Sequence, residues 1–480
     1  MRLQSQTRWH PRRMSKETAH SDPFGVIAET ARRAQFTPSP LTDSGDLDGP
    51  AGPAPIDLTE ESEAGRPAAE AVPMRREWRE VVAVAGSVEA LPAISVPLAS
   101  AAGAKLSEPI RARTPLPPTD CADVTGWAVA GFGPWTLAAE PTDPRHPLPD
   151  GSACTITAGD VLPPGCTAVH SEHTGIEEAT SAGRWVLAAR DGQASPTPGQ
   201  VAMGVGIRPR ESVASQDQIL LQAGGVVTPA VVALAAAAGV DDLLVVPPAT
   251  ATALVPRSGL TRRGPVRAGR MRDSVADLLL AWLEQSPARH LPANGVPEDP
   301  RDLADLIEAT SSDIIVLASG MATGLSPLVR HTLHLLDSEP LVTGVDVRPG
   351  GAAELHALAD QRYLLALPGR PGPAAAALTL LFDPLAAALA GQRPDQMHVE
   401  ALLASAPDWL RAGAGSAVEL VPVIIEPGDL ALRAHPLGWL GPDGAQGLAA
   451  ADGLAVIGTD RPCESGALVQ VLPLPGVLLG

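Results

Sequence analysis

The sequence predicts a multidomain α/β protein: a three-layer α/β domain in its second half, with an inserted β-rich domain before it and a β domain at the C-terminus. Three observations predict this. Ile314-Ile315-Val316-Leu317 and Tyr363-Leu364-Leu365-Ala366-Leu367 are short apolar runs that each break into a Gly/Pro turn and then resume with helical spacing, the pattern of parallel strands feeding helices. Strand-like and helical segments alternate through this half of the chain, as in a sheet covered on both faces, where ligands lie beyond the carboxyl ends of the strands. At 480 residues the chain exceeds one ordinary domain, so the β-patterned stretches on either side read as further domains.

Taken in order, residues 1–75 are rich in Pro, Ser and Gly, first basic (Arg8, Arg12, Arg13, Arg32, Arg33) and then acidic (Asp43, Asp46, Asp48, Glu60, Glu61, Glu63). Such a segment buries too little apolar surface to order itself, so a disordered tail is expected. Residues 76–104 and 207–246 carry helical spacing in VPLASAAGAKLSEPI and TPAVVALAAAAGV and form a helical linker. Between them, 105–206 is a run of short β-like segments separated by turns. Residues 247–392 form the α/β domain, with strands at LLVVPP, TALVP, the 310s and the 360s, and helices near 273–285, 301–309, 327–336 and 374–390. Residues 393–480 return to a β pattern.

Composition excludes several classes. A net charge of −19 repels nucleic acid and anionic membrane surfaces. The four cysteines are widely spaced, with no CxxC pair, so neither a disulfide framework nor a zinc ribbon is indicated. The N-terminus lacks the apolar core of a signal peptide, and Pro or Gly cuts the longest apolar runs short of a membrane span. A cytoplasmic protein with no nucleic-acid or membrane partner is expected.

The candidate site lies in three turns. Ser319, Gly320, Thr323 and Gly324 follow the first apolar run; Pro349 and Gly350 belong to an RPGG turn; Pro368, Gly369, Arg370 and Pro371 follow the second run. Glycine and proline there let backbone N–H groups at a helix start face an anion, which points to a phosphate-bearing ligand. The hydroxyls of Ser319 and Thr323 either contact that ligand or cap the next helix.

Several segments resemble, in collinear order, the molybdopterin molybdenumtransferase family of MoeA and the gephyrin E domain. PLPPTDCADVTGWAV (115–129) is similar to that family's PLPPFDNSAMDGYAV, and ITAGDVLPPGCTAVHSE (156–172) to its ITGAPLPEGADAVVxxE. GIRP (206–209), LASGMATG (317–324), RPGG (348–351) and LPGRPGPAA (367–375) follow. The resemblance covers about residues 76–480. It implies molybdopterin or its adenylylated form as ligand, molybdate as second substrate, AMP as product and a magnesium ion held by carboxylates. It also implies a homodimer formed through the linker region, and partners among molybdoenzymes or cofactor-biosynthesis proteins.

The carboxylates depart from the family pattern. Three family acids fall on Thr125, Thr167 and Pro327, which leaves no metal site to assign, and the STGDEL segment falls on PRSGL (256–260). Asp120 matches the first aspartate of the FDNSAMDG motif and Asp123 lies close by; these two are the catalytic candidates. The asparagine of LPGNP falls on Arg370, and the loop after PRSGL carries Arg262, Arg263, Arg267, Arg270 and Arg272 beside Arg257. Losing carboxylates and gaining guanidiniums suits direct, bidentate contact with phosphates in place of magnesium. Two functions stay open: a transferase that inserts molybdate, and a catalytically inactive pterin-binding, scaffold or regulatory paralogue.

Overall fold

The computed structural model describes residues 75–138, 146–173, 175–180, 183–190, 193–194, 202–256, 260–266, 271–293, 295–319, 324–393, 398–406, 418–441, 444–458 and 463–476. They belong to one compact unit, Ala71–Gly480. The tail expected over 1–75 lies outside the described residues, apart from Arg75.

The region expected to be a helical linker mixes helix and sheet. Asp242–Val246 pairs antiparallel with Ile94–Pro97 on one side and with Lys105–Leu106 on the other. Helix Pro229–Ala237 packs on them around Leu106, Ala235, Leu243 and Val245, with the Thr228 hydroxyl accepting from Val231 N at its start. The helix expected over VPLASAAGAKLSEPI is therefore corrected: it is a strand, a short 3-10 turn at Leu98–Ser100 and a second strand. Pro97 cannot donate inside a helix and Gly103 turns at φ +84°, so pairing with 242–246 prevails over the helical spacing.

The inserted region is a seven-stranded sheet built from 126–129, 135–137, 152–156, 168–171, 175–180, 183–190 and 193–194. It closes over Val129, Trp135, Ala153, Ala168 and Val186. Backbones approach closely there, and a Cβ on Gly126 would sit 2.0 Å from the His170 carbonyl oxygen.

The α/β domain is a six-stranded sheet of β1 (Thr250–Leu254), β2 (Arg289–His290), β3 (Ile314–Ala318), β4 (Ser338–Val342), β5 (Glu354–Leu358) and β6 (Tyr363–Leu367). The spatial order is β2-β1-β3-β6-β5-β4. The first four in that order run parallel, and β5 pairs antiparallel with both β6 and β4. Its helices are α1 (Val275–Gln285), α2 (Pro300–Ala309), α3 (Pro327–Leu335) and α4 (Pro371–Leu389). Every residue of β3 is buried, and alternation explains why. Ile314, Val316 and Ala318 face α1 and α4, whereas Ile315 and Leu317 face Leu303 and Ile307 of α2 and Val329 of α3. A strand with helices on both faces has no polar side, which is why its sequence is one unbroken apolar run.

Arg362, in the turn before β6, closes the end of α2. Its guanidinium donates to the carbonyls of Ile307 at 3.0 Å, Glu308 at 3.2 Å and Thr310, and pairs with Asp360. These are carbonyls a helix C-terminus leaves without partners. Arg362→Ala is expected to cost about 2 kcal/mol, read as a lower urea midpoint; an unchanged midpoint would make the cap incidental.

The expectation that proline cuts every long apolar run is corrected at α4. This helix runs 19 residues and is long and apolar enough to cross a membrane, but 94% of that stretch is buried inside the protein as its core helix. Pro371 sits in the first turn, where no donor is needed. Pro384 follows a π-helical segment, Leu378–Phe382, whose widened turn removes the demand for its missing N–H.

At the C-terminus, strands 418–426, 433–436, 399–403, 468–473 and 453–457 pair in that order, and 453–457 pairs back with 418–426. Five strands thus close into a barrel without a free edge, around Ala401, Val421, Val423, Ala434 and Val471. Leu420, Leu454 and Leu472 face the other way, into the α/β core. One further pairing matters for the site: Val347–Arg348, just after β4, runs parallel to Val418–Glu419 of the barrel.

Candidate functional site

The three sequence turns meet at the carboxyl ends of β3 and β6. Ser319 N donates to the Leu367 carbonyl at 2.9 Å, tying the first turn to the second strand end. The RPGG turn lies against the start of α4: Gly350 has φ +97°, and a Cβ there would stand 2.9 Å from both Ala376 Cβ and the Pro373 carbonyl oxygen. A Cβ on Gly324 would stand 3.6 Å from Ala352 Cβ, so the far end of the first turn also reaches the RPGG segment. Pro368, Gly369 and Pro371 are buried beneath this junction. Gly320 and Thr323 lie outside the described residues.

A cavity of about 540 Å³ opens where the junction meets the barrel, lined by Arg348, Pro349, Arg370, Pro373, Glu419 and Trp439. Arg348 and Glu419 are register partners, and their charged groups pair at 2.7 Å. Burial pushes the Glu419 carboxyl above its ordinary pKa, and the neighbouring Arg348 guanidinium only partly offsets this. The Trp439 indole is held in the wall by a 2.8 Å hydrogen bond from its Nε1 to the Leu420 carbonyl. Gly444, at φ +81°, leaves it room: a Cβ there would lie 2.6 Å from the ring. Arg370 is the N-cap residue of α4 with extended backbone, and its side chain does not cap the helix. Among the described residues the lining therefore carries two guanidiniums, one carboxyl and one aromatic wall, a set suited to an anionic ligand with a flat body.

The MoeA N-terminal region model (domain I and II) matches residues 69–239. A crystal structure of the molybdopterin biosynthesis MoeA protein of Pyrococcus horikoshii superposes with a TM-score of 0.60 at 20% identity, covering 83% of this chain and 99% of that one. Over residues 69–239 the chain matches the MoeA N-terminal region, and its fold is that of the MoeA structure. A second Pyrococcus horikoshii MoeA structure gives a TM-score of 0.58 at 18% identity, with the same coverage. In sequence, the molybdopterin molybdenumtransferase 2 of Mycobacterium tuberculosis is 27% identical over 344 residues, which is 67% of this chain and 81% of that protein. The multidomain mixed α/β architecture with its barrel is the MoeA fold.

Within that MoeA fold, the positions where acids were sought have local structural work. Thr125 Oγ1 accepts from Ala158 N at 3.1 Å, and Thr167 Oγ1 donates to the Val129 carbonyl at 3.1 Å. Pro327 is the first residue of α3, whose N-cap Ser326 accepts from Val329 N. Asp120 and Asp123 stand beside the inserted sheet, not among the residues lining the Arg370 cavity. Asp120 Oδ1 accepts from Arg210 N at 2.7 Å, and Asp123 pairs with the Arg208 guanidinium. Of the arginine loop, Arg262 and Arg263 are exposed and Arg272 stands 3.7 Å from Asp277; Arg257, Arg267 and Arg270 lie outside the described residues.

Two buried oxygens at this end of the sheet lack a hydrogen-bond partner among the described residues: Ser319 Oγ and Asp273 Oδ2. The motif comparison missed Asp273. Its Oδ1 accepts from Ala276 N at 3.0 Å, capping α1 from just outside. An acid before the apolar run SVADLLLAWL was the available signal, and it reads as an ordinary helix start. Magnesium, which the resemblance implies, does not fit the donors present: among the described residues, no group of three or more His, Cys, Asp or Glu is placed to hold a metal ion. One orphaned carboxylate oxygen does not make a protein-built site for a hard cation.

Proposed function

We propose that this protein acts in molybdenum cofactor biosynthesis and takes molybdopterin or its adenylylated form into the Arg348–Arg370 cavity. The observation that carries the reading is the convergence of RPGG and LPGRP on one cavity with two guanidiniums and an aromatic wall. The Mycobacterium tuberculosis relative, named a molybdopterin molybdenumtransferase, supports the substrate class. In this reading Pro349 and Pro373 shape the wall, Arg348 and Arg370 compensate the ligand's negative charge, and Trp439 sets the cavity's width. The reaction assigned to it is the joining of molybdate to the adenylylated pterin with release of AMP. No step of this reading passes through magnesium, because the donors for it are not assembled among the described residues.

Two measurements on the full chain test it: rescue of a strain lacking its molybdenum insertase, and AMP release from adenylylated molybdopterin in the presence of molybdate. Rescue together with molybdate-dependent AMP release is the expected result. A folded protein that does neither has no insertase role. The proposal includes a homodimer, which sedimentation would read directly.

A further inference from the structure

We infer that the cavity beside Asp383 is a second ligand site, which takes small primary ammonium compounds with an apolar body and seats the ammonium on the Asp383 carboxyl. It is distinct from the Arg348–Arg370 cavity, with which it shares none of its described lining residues, and it does not rest on the molybdopterin-binding reading. The cavity measures about 190 Å³ and lies where helix Trp78–Gly86, α4 and barrel strand 468–473 meet. Three observations carry the inference. First, α4 has two polar side chains in an otherwise apolar helix, Thr379 and Asp383, and both are buried and line this cavity. Thr379 belongs to the π-helical segment Leu378–Phe382 and Asp383 follows it directly; such widened turns are frequent at functional sites. Second, Asp383 is held from outside the cavity. Its Oδ1 accepts from Trp282 Nε1 at 3.0 Å, and Trp282 is not among the residues lining the cavity, so Oδ2 is the oxygen offered to an occupant. Third, the remaining walls, Trp78, Val82, Pro384, Leu472 and Pro473, are apolar and suit a ring or a short alkyl chain.

The chemistry of the floor selects a cation. Burial pushes the Asp383 carboxyl up to about 7, and an ammonium at hydrogen-bond distance would favour its ionised form, so filling the cavity and ionising Asp383 go together. Arg79 and His398 are the other charged or titratable residues described in the lining, and both stand at its mouth. Arg79 Nη2 donates to Gln470 Oε1 at 3.3 Å, Gln470 Nε2 lies 3.3 Å from His398 Nε2, and both contacts are exposed. Arg79 also faces Glu77 at 3.6 Å, so solvent and that carboxylate screen its charge from the floor. A volume well below the ~300 Å³ at which drug-sized sites begin limits the occupant to a single ring or a chain of a few carbons.

The test is isothermal titration of the full chain with benzylamine at pH 8 and pH 5, with benzyl alcohol as the uncharged match. Benzylamine is expected to bind the wild-type protein at pH 8 with one site per chain, and benzyl alcohol at least tenfold more weakly. At pH 5, where Asp383 keeps its proton, wild-type affinity for benzylamine should fall at least tenfold. Asp383→Asn should bind benzylamine at least tenfold more weakly than wild type at pH 8 and show no such fall at pH 5. Val82→Phe, which narrows the cavity and leaves the carboxyl in place, should lose binding at pH 8. No benzylamine binding by the folded wild-type protein at millimolar concentration overturns the inference. So does D383N binding as tightly as wild type, and equal binding of alcohol and amine overturns the ammonium assignment. Should D383N fail to fold, Val82→Phe and the pH dependence carry the comparison; undiminished binding by V82F then places the ligand elsewhere and overturns the site.

Discussion

Asp383→Asn is expected to stabilise the protein at pH 8 by about 4 kcal/mol and to leave it nearly unchanged at pH 4. Asp383 lies in α4 just after the π-helical segment, buried, and its Oδ1 accepts from Trp282 Nε1 at 3.0 Å. A cavity of about 190 Å³ beside it is walled by Arg79, Thr379, His398 and Gln470. Burial raises the Asp383 pKa from its ordinary 3.8 to about 7, and the Trp282 hydrogen bond only partly opposes this. The folded carboxyl thus keeps its proton at pH values where the unfolded one has lost it. Stability from this group is complete below pH 3.8, declines by about 1.4 kcal/mol per pH unit as pH rises toward 7, and levels off once both states are ionised. Asparagine can still accept from Trp282 and cannot ionise, so the variant should lose the slope. Urea midpoints from pH 4 to pH 8 measure this. Parallel curves for the two proteins would show that Asp383 does not carry the effect.

Gly350→Ala is expected to cost about 3 kcal/mol and to abolish ligand uptake at the Arg370 cavity. Two penalties add. A non-glycine residue at φ +97° is strained by about 1–2 kcal/mol, and the new methyl would stand 2.9 Å from Ala376 Cβ and from the Pro373 carbonyl oxygen, an overpacking penalty of similar size. Neither neighbour can swing away, since one belongs to the backbone of α4 and the other is a buried alanine on the same helix. The RPGG turn must therefore shift and carry Arg348 off its register with Glu419. A urea midpoint and a molybdopterin titration together check this; near-wild-type values for both would mean that the turn yields freely.

Much of the architecture was legible in the sequence. Uniformly apolar runs at 314–318 and 363–367 gave a sheet buried on both faces, and glycine and proline marked the turns that meet at the site. The stretch around 94–108 was misread because helical spacing of small apolar residues does not reveal a strand partner far along the chain, while pairing with 242–246 decides the structure. The expectation that Pro or Gly cuts the longest apolar runs short failed at α4, where a π-helical segment precedes Pro384 without leaving a sequence mark. At the site, Pro349 and Arg370 were visible as motif residues. Glu419 and Trp439 were not, because they come from the barrel and join the cavity only through the 347–348 to 418–419 pairing. Asp273 was masked by its second role as a helix cap.

That short pairing also has a mechanical meaning. Arg348 is paired with strand 418–426 of the barrel, whereas Arg370 precedes the buried helix of the sheet domain, so the two guanidiniums are anchored to different elements. An occupant held by both would act as a crosslink between those elements. Slower amide exchange along 418–426 on filling would be its signature.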